Sequence, residues 1–279
     1  MTATTARPRA DIDERLSSAL APRARPPRPG PLTASLVFGW RALLKIKHVP
    51  EQLFDVTVFP VLFLLMFTYL FGGALAGSPR EYLQTLLPGI LVMNVVMITM
   101  YTAVTLNTDI TRGIFDRFRS LPVWRPAALA GALLGDAVRY TAASSVVVAL
   151  GLVLGFRPQG GVVGVLLGVA LLVVFCYGFS WVWTVLGLVL RTPNSVMGVS
   201  MMVLFPGTFL TNVFVDPATM PGWLRAFVEA NPVTHLVTAV RGLMHGSAAT
   251  GQVALVLAEA AALVAVFAPL TLYLYNRRS

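Results

Sequence analysis

Six stretches of this 279-residue chain, at about 53–76, 83–107, 128–155, 161–190, 195–215 and 251–275, each run for roughly 20 or more mainly apolar residues. A run of that length matches an α-helix crossing a bilayer core of about 30 Å, where every backbone amide must find its hydrogen bond within the segment. Only 12% of the residues are charged and 56% are hydrophobic, against about 25% charged in soluble domains. The surface of a soluble fold would need more polar residues than the chain carries. The expected fold is therefore an all-α polytopic membrane protein with six transmembrane helices. Turn residues close the links at 77–82 and 156–160, and the second of these makes a tight hairpin between spans three and four.

The net charge of +9 would suggest nucleic acid or an acidic partner in a soluble protein; here it reads as topology, and no nucleic-acid partner is expected. Cytoplasmic flanks carry the excess of Lys and Arg. Sixteen of these residues fall in 1–52, 108–127, at Arg191 and at the C-terminus. Four (Arg80, Arg157, Arg225 and Arg241) fall on the other side, and Arg139 lies within span three. Both termini are expected in the cytoplasm, in keeping with an even number of spans. Residues 1–30 hold six Arg and five Pro and no apolar stretch, so they read as a disordered cytoplasmic tail without the apolar region of a signal peptide. The single cysteine, Cys176, has no intramolecular partner.

Two segments read as helices that do not span. In 31–52, Leu36, Trp40, Leu43 and Leu44 recur at helical spacing with Arg41, Lys45 and Lys47 toward the polar side, the pattern of an interfacial helix on an anionic leaflet. In 216–245, Asn231-Pro232 splits the chain into 221–230 and 232–245, each too short to cross. These are expected to form an external re-entrant helix pair before span six. The spacings Gly131-x-x-x-Gly135, Gly151-x-x-x-Gly155 and Gly164-x-x-x-Gly168 allow close helix approach within the chain.

Enzyme chemistry is missing. A P-loop needs a Gly-rich turn ending in Gly-Lys-Ser/Thr, and the only lysines are Lys45 and Lys47; any ATP chemistry must sit on another polypeptide. His48, His235 and His245 have no carboxylate or cysteine at ligand spacing, and neither HExxH nor GxSxG occurs. No metal site or catalytic residue is expected on this chain. Between spans two and three, however, Ile110, Ile114, Phe118 and Leu121 form one apolar stripe at helical spacing. Asp109, Arg112, Asp116, Arg117 and Arg119 fall largely elsewhere around it, and Pro122 ends it. An ordinary cytoplasmic loop accounts for the arginines, but not for the stripe or for the pair Phe115 and Phe118.

Three stretches in order, QLFDVTVFPVLFLLMFTYLFGGAL at 52–75, GIFDRFRSLPVWRP at 113–126 and PATMPGWLRAFVEANPVTHLVTAVRGL at 217–243, resemble the type-2 ABC exporter permeases, the ABC-2 transporter family. The resemblance is strongest to the daunorubicin/doxorubicin-resistance membrane subunits of actinobacteria, and it runs from about residue 32 to the C-terminus. It implies a transport subunit of the bacterial cell membrane that exports hydrophobic, anthracycline-type compounds. Two copies would assemble with two copies of a separate ATPase subunit that binds ATP and Mg, with no cofactor on this chain. The resemblance also makes 109–122 a cytoplasmic coupling helix docked on the ATPase. Asp109, Arg112, Ile114, Phe115, Asp116, Arg117, Phe118, Arg119, Leu121 and Pro122 are its candidate contacts. The family commonly has Glu-Arg where this chain has Asp116-Arg117, which keeps the charge.

Spans two and five line the path in the resembling family, which implicates Asn94, Thr99, Tyr101, Thr102 and Asn212. Charges within spans are functional candidates in their own right. Asp136 and Arg139 are three residues apart and are expected to pair. Glu259 in span six either attracts a cationic substrate or pairs with Arg241. The aromatic-rich run 175–187 offers a stacking wall, but Trp181 and Trp183 lie near the cytoplasmic end of span four, where an interfacial belt is expected. Two further readings stand beside the drug exporter: export of a lipid or polyketide product, and an ATP-independent secondary transporter. Against the latter stand the lack of an internal repeat, the few intramembrane ionisable groups, and an amphipathic cytoplasmic helix that needs a partner.

Overall fold

A computed structural model describes residues 50–113 and 127–277. The tail at 1–30, nearly all of the interfacial segment 31–52, and residues 114–126 lie outside the described residues. Within them the chain is helical, with no strand: α1 (Pro50–Ala76), α2 (Pro79–Ile98), α3 (Met100–Thr111), α4 (Ala127–Leu154), α5 (Gly161–Val189), α6 (Pro193–Phe209), α7 (Gly222–Ala230), α8 (Pro232–His245) and α9 (Thr250–Arg277), with a 3₁₀ turn at Pro217–Thr219.

Four helices among the described residues are long and apolar enough to cross a membrane: Pro79–Thr111, Gly131–Leu154, Gly161–Val189 and Thr250–Tyr275. The first combines α2 and α3, which meet at a tight turn around Thr99, where the amide and hydroxyl of Thr99 both donate to the Val96 carbonyl, at 3.1 and 2.6 Å. In the places of expected spans one and five stand α1, with an apolar stretch at Pro60–Ala74, and α6. At 17 residues, α6 is about 25 Å long at 1.5 Å per residue, short of a full bilayer core. The expected helix at 195–215 thus ends early, and residues 210–216 form a non-helical link.

The centre of the bundle is α5, which packs against α9, α8, α3 and α4. Glycines set how closely. A Cβ on Gly164 would collide with the Leu243 carbonyl oxygen of α8. One on Gly178 would lie 2.8 Å from the carbonyl oxygen of Ala260 in α9, and one on Gly187 2.8 Å from that of Ala103 in α3. Glycines on different sides of α5 therefore seat three different helices along its length. Gly164 and Gly168 both meet α8, so this small-residue spacing serves packing within the chain.

The split at Asn231-Pro232 is present as expected, with Asn231 as the junction. Its Oδ1 accepts from the Val233 amide at 2.9 Å, capping α8, while its Nδ2 donates to the carbonyls of Gly207 and Leu210 at 2.8 and 3.0 Å, closing the end of α6. At one end of the bundle Gln84 of α2 holds the hairpin after α4. It donates to the Gly155 carbonyl at 3.2 Å and accepts from the Arg157 amide at 2.9 Å, and its own carbonyl accepts from His245 Nε2 at 3.0 Å.

Introducing Leu at Gly178 forces α5 and α9 apart and should destabilise the protein by about 1–3 kcal/mol. Leu at Gly198, which has nothing within 4 Å of a built Cβ, should leave stability unchanged; thermal unfolding of the two purified variants in detergent makes the comparison.

Candidate functional site

Two cavities and one buried polar cluster lie within the bundle. The first cavity, of about 250 Å³, lies between α1, the α2–α3 junction and α6. Its walls are apolar and methionine-rich (Met93, Met97, Met100 and Met201), with Asn94 and Tyr101 among them. Asn94 Nδ2 is buried and has no hydrogen-bond partner among the described residues. An unspent amide donor in an apolar, adaptable wall suits a mostly apolar ligand carrying an acceptor.

Behind Tyr101, the polar cluster joins α3, α4 and α5. Arg139 Nη2 lies 2.6 Å from Asp136 Oδ1, and both side chains are almost fully buried. Thr102 Oγ1 donates to Asp136 Oδ2 at 2.5 Å. The Ser180 hydroxyl donates to the Cys176 carbonyl at 2.7 Å, which leaves Tyr140 to donate to Ser180 at 2.7 Å. The Arg139 guanidinium stands 5.9 Å from the Tyr101 ring centre and 5.8 Å from that of Tyr140. The expected Asp136–Arg139 pair is thus present within α4, and the Thr102–Asp136 hydrogen bond ties α4 to α3. Asn107 reinforces the same end of the bundle by donating to the carbonyls of Gly187 and Leu190 at 2.9 and 2.7 Å, which satisfies the C-terminus of α5. Nothing in the local sequence singles out Asn107, because both its acceptors are about 80 residues away.

The second cavity, of about 360 Å³, lies between α5, α6, α8 and α9 and includes Glu259, Phe175 and Phe179 in its lining. Glu259 does not pair with Arg241. Its Oε1 lies 2.6 Å from Nδ1 of His235 in α8. Arg241 instead donates to the carbonyls of Thr85 and Asn212, at 3.2 and 3.1 Å, bracing α8 against α2 and the 210–216 link.

The expected path residues separate. Asn94 and Tyr101 line the first cavity, and Glu259 the second. Thr99 and Thr102 line neither: the first is spent on its own helix turn and the second on Asp136. Asn212 lies in the link after α6, donating to Thr238 at 2.9 Å. Trp183 is also misplaced by the belt expectation. It is fully buried and edge-on to Phe179 at 5.2 Å between ring centres, because helices surround α5 and a ring on its inner face has no route to an interface. Of the coupling residues, Asp109 and Arg112 end α3, and Ile114 to Pro122 lie outside the described residues. Helix α3 stops at Thr111, and Gly113 takes a left-handed φ of 66°. Ile110 therefore belongs to the membrane helix, and no unbroken helix carries the whole stripe 110, 114, 118 and 121.

Residues 33–245 match the model of a family described as ABC-2 type transporter. The chain is 52% identical over 268 residues to daunorubicin resistance ABC transporter permease protein DrrB1 of Streptomyces coeruleorubidus, covering 96% of this chain and 95% of that protein. It is 25% identical over 226 residues to probable doxorubicin resistance ABC transporter permease protein DrrC of Mycobacterium tuberculosis, covering 78% and 82%.

Replacing Arg139 with Met strands the Asp136 carboxylate and should cost about 3–5 kcal/mol, whereas the double change Asp136→Leu with Arg139→Met should recover most of it. Chemical unfolding of the purified variants measures both.

Proposed function

From the chain's membership of the ABC-2 type transporter family, we propose that it is the membrane subunit of an ATP-driven exporter of hydrophobic, anthracycline-type compounds in the bacterial cell membrane. The observation that carries this reading is the 52% identity, across 96% of the chain, to a permease named for daunorubicin resistance. Lacking a P-loop lysine, the chain draws on a separate ATPase subunit, two copies of which bind ATP and Mg and assemble with two copies of the permease. Six spans form each half, with α1 and α6 completing the set and both termini in the cytoplasm. The pair α7 and α8 is then the external re-entrant element.

In this reading the ATPase docks on the segment after Gly113. Phe115 and Phe118 anchor it, and Asp116, Arg117 and Arg119 set its orientation. Force applied there reaches α3 and α4 directly, because the Thr102–Asp136–Arg139 contacts join those two helices at the base of the loop. The cavity behind them, with Asn94 and Tyr101, is the proposed substrate path. A ligand that binds one conformation better than the other is carried by that difference in affinity.

Inverted vesicles holding the permease and its ATPase should accumulate daunorubicin only when ATP is supplied; accumulation without ATP or without the ATPase overturns the reading. Substituting Ala at Phe115, Phe118 and Arg119 together should abolish both ATP-dependent uptake and co-purification of the ATPase. Asn94→Leu should raise the substrate KM several-fold while leaving ATPase co-purification intact, as measured by initial uptake rates.

A further inference from the structure

The second cavity holds the better candidate for charge recognition. Ala260 of α9 meets Gly178 near the middle of α5, which puts the adjacent Glu259 at mid-bundle. At 1.5 Å per residue Glu259 is about 14 Å along α9 from Thr250. A carboxyl group at that depth is costly and needs a partner. Its partner among the described residues is His235, and the hydrogen bonding there is constrained. His235 Nε2 lies 2.8 Å from the Glu229 carbonyl oxygen, which can only accept, so Nε2 carries a proton. The 2.6 Å contact between Nδ1 and Glu259 Oε1 then needs one further proton, shared by the pair. That contact occupies Oε1 alone. Oε2 is buried and has no hydrogen-bond partner among the described residues.

The rest of the lining decides what Oε2 can receive. Asn231 has spent both its amide donors and its acceptor on backbone, and the Thr208 hydroxyl donates to the Leu204 carbonyl at 2.7 Å. A bare metal ion needs about six oxygen ligands, which this wall does not supply. Phe175 and Phe179 both line the cavity and lie stacked, 6.0 Å between ring centres, an aromatic wall of the kind that attracts a diffuse positive charge. Val203 on α6 and Val266 on α9 line the same cavity and are exposed on the bundle surface, so an apolar body can enter between those helices. The volume of about 360 Å³ falls in the range of small-molecule sites, about 300–1,000 Å³.

We propose that the cavity between α5, α6, α8 and α9 is a binding site for a lipophilic organic monocation, with Glu259 as its counter-ion and Phe175 and Phe179 as its aromatic wall. This site is distinct from the cavity at Asn94 and Tyr101. It is read out by equilibrium binding, so it stands or fails separately from the export of any compound.

The test uses the full chain with its ATPase partner in phosphatidylcholine nanodiscs, and radiolabelled tetraphenylphosphonium as probe. Saturable binding is expected, with no binding of tetraphenylborate, which has the same shape and the opposite charge. Glu259→Gln should weaken tetraphenylphosphonium binding tenfold or more. His235→Gln, which keeps the carboxylate and removes its competitor, should bind as tightly as the natural protein or more tightly. Leu263→Trp fills the cavity while keeping both Glu259 and His235 and should also abolish binding, so the proposal remains testable if Glu259→Gln fails to assemble. Binding that stays within twofold in Glu259→Gln, or in Leu263→Trp, overturns the proposal and assigns the cavity to a lipid acyl chain or a neighbouring helix.

Discussion

The architecture depends on how closely other backbones approach α5. Apolar side chains gain little by leaving a hydrocarbon solvent for a hydrocarbon interface, so helices in lipid associate through van der Waals contact, and contact is best where nothing separates the backbones. Gly164, Gly178 and Gly187 provide this at three heights, receiving α8, α9 and α3 in turn. Both cavities follow from that arrangement. The first opens at the turn around Thr99, where α2 ends and α3 is drawn to α5. The second opens where α8 and α9 sit on α5 at different heights, leaving a gap that α6 does not fill.

Polar groups do the remaining joining, and several of them link two elements. Asn231 connects α6 to α8, Asn107 connects α3 to α5, Gln84 connects α2 to the hairpin before α5, and Asp136 with Thr102 connects α4 to α3. In a low-dielectric interior an unsatisfied carbonyl or charge is expensive, so these groups fix position more strictly than the surrounding leucines and valines. The interruptions in the helices serve the same end. The early stop of α6 leaves carbonyls that Asn231 then takes up.

Much of this was legible locally. The Asn231-Pro232 split, the tight hairpin at 156–160 and the Asp136–Arg139 pair all rest on residues within a few positions of one another, and the structure has them where expected. The failures involve distant partners. Glu259 meets His235 rather than Arg241 because the two histidine nitrogens are aimed at Glu229 and at α9, and Arg241 is committed to carbonyls of α2 and the 210–216 link. Thr99 and Thr102 are expected on the path because the resemblance places span two there. Their hydroxyls turned out to be spent, one on its own turn and one on α4. Trp183 looked interfacial because of its position along the span, but it faces inward.

The sequence by itself determined that this is a helical membrane protein, and where most of its helices begin and end. Those properties come from run length, charge placement and residues within a few positions of each other. Tertiary structure alone decided which polar side chains remain unspent, because that depends on groups 20 to 160 residues apart being brought to a common height on α5. Among the described residues, Asn94 and Glu259 keep an atom without a hydrogen-bond partner. Asn212 does too, but Asn94 and Glu259 also line a cavity, and that place, more than polarity, separates them from Thr99, Thr102 and Asn212 as candidates to meet a ligand.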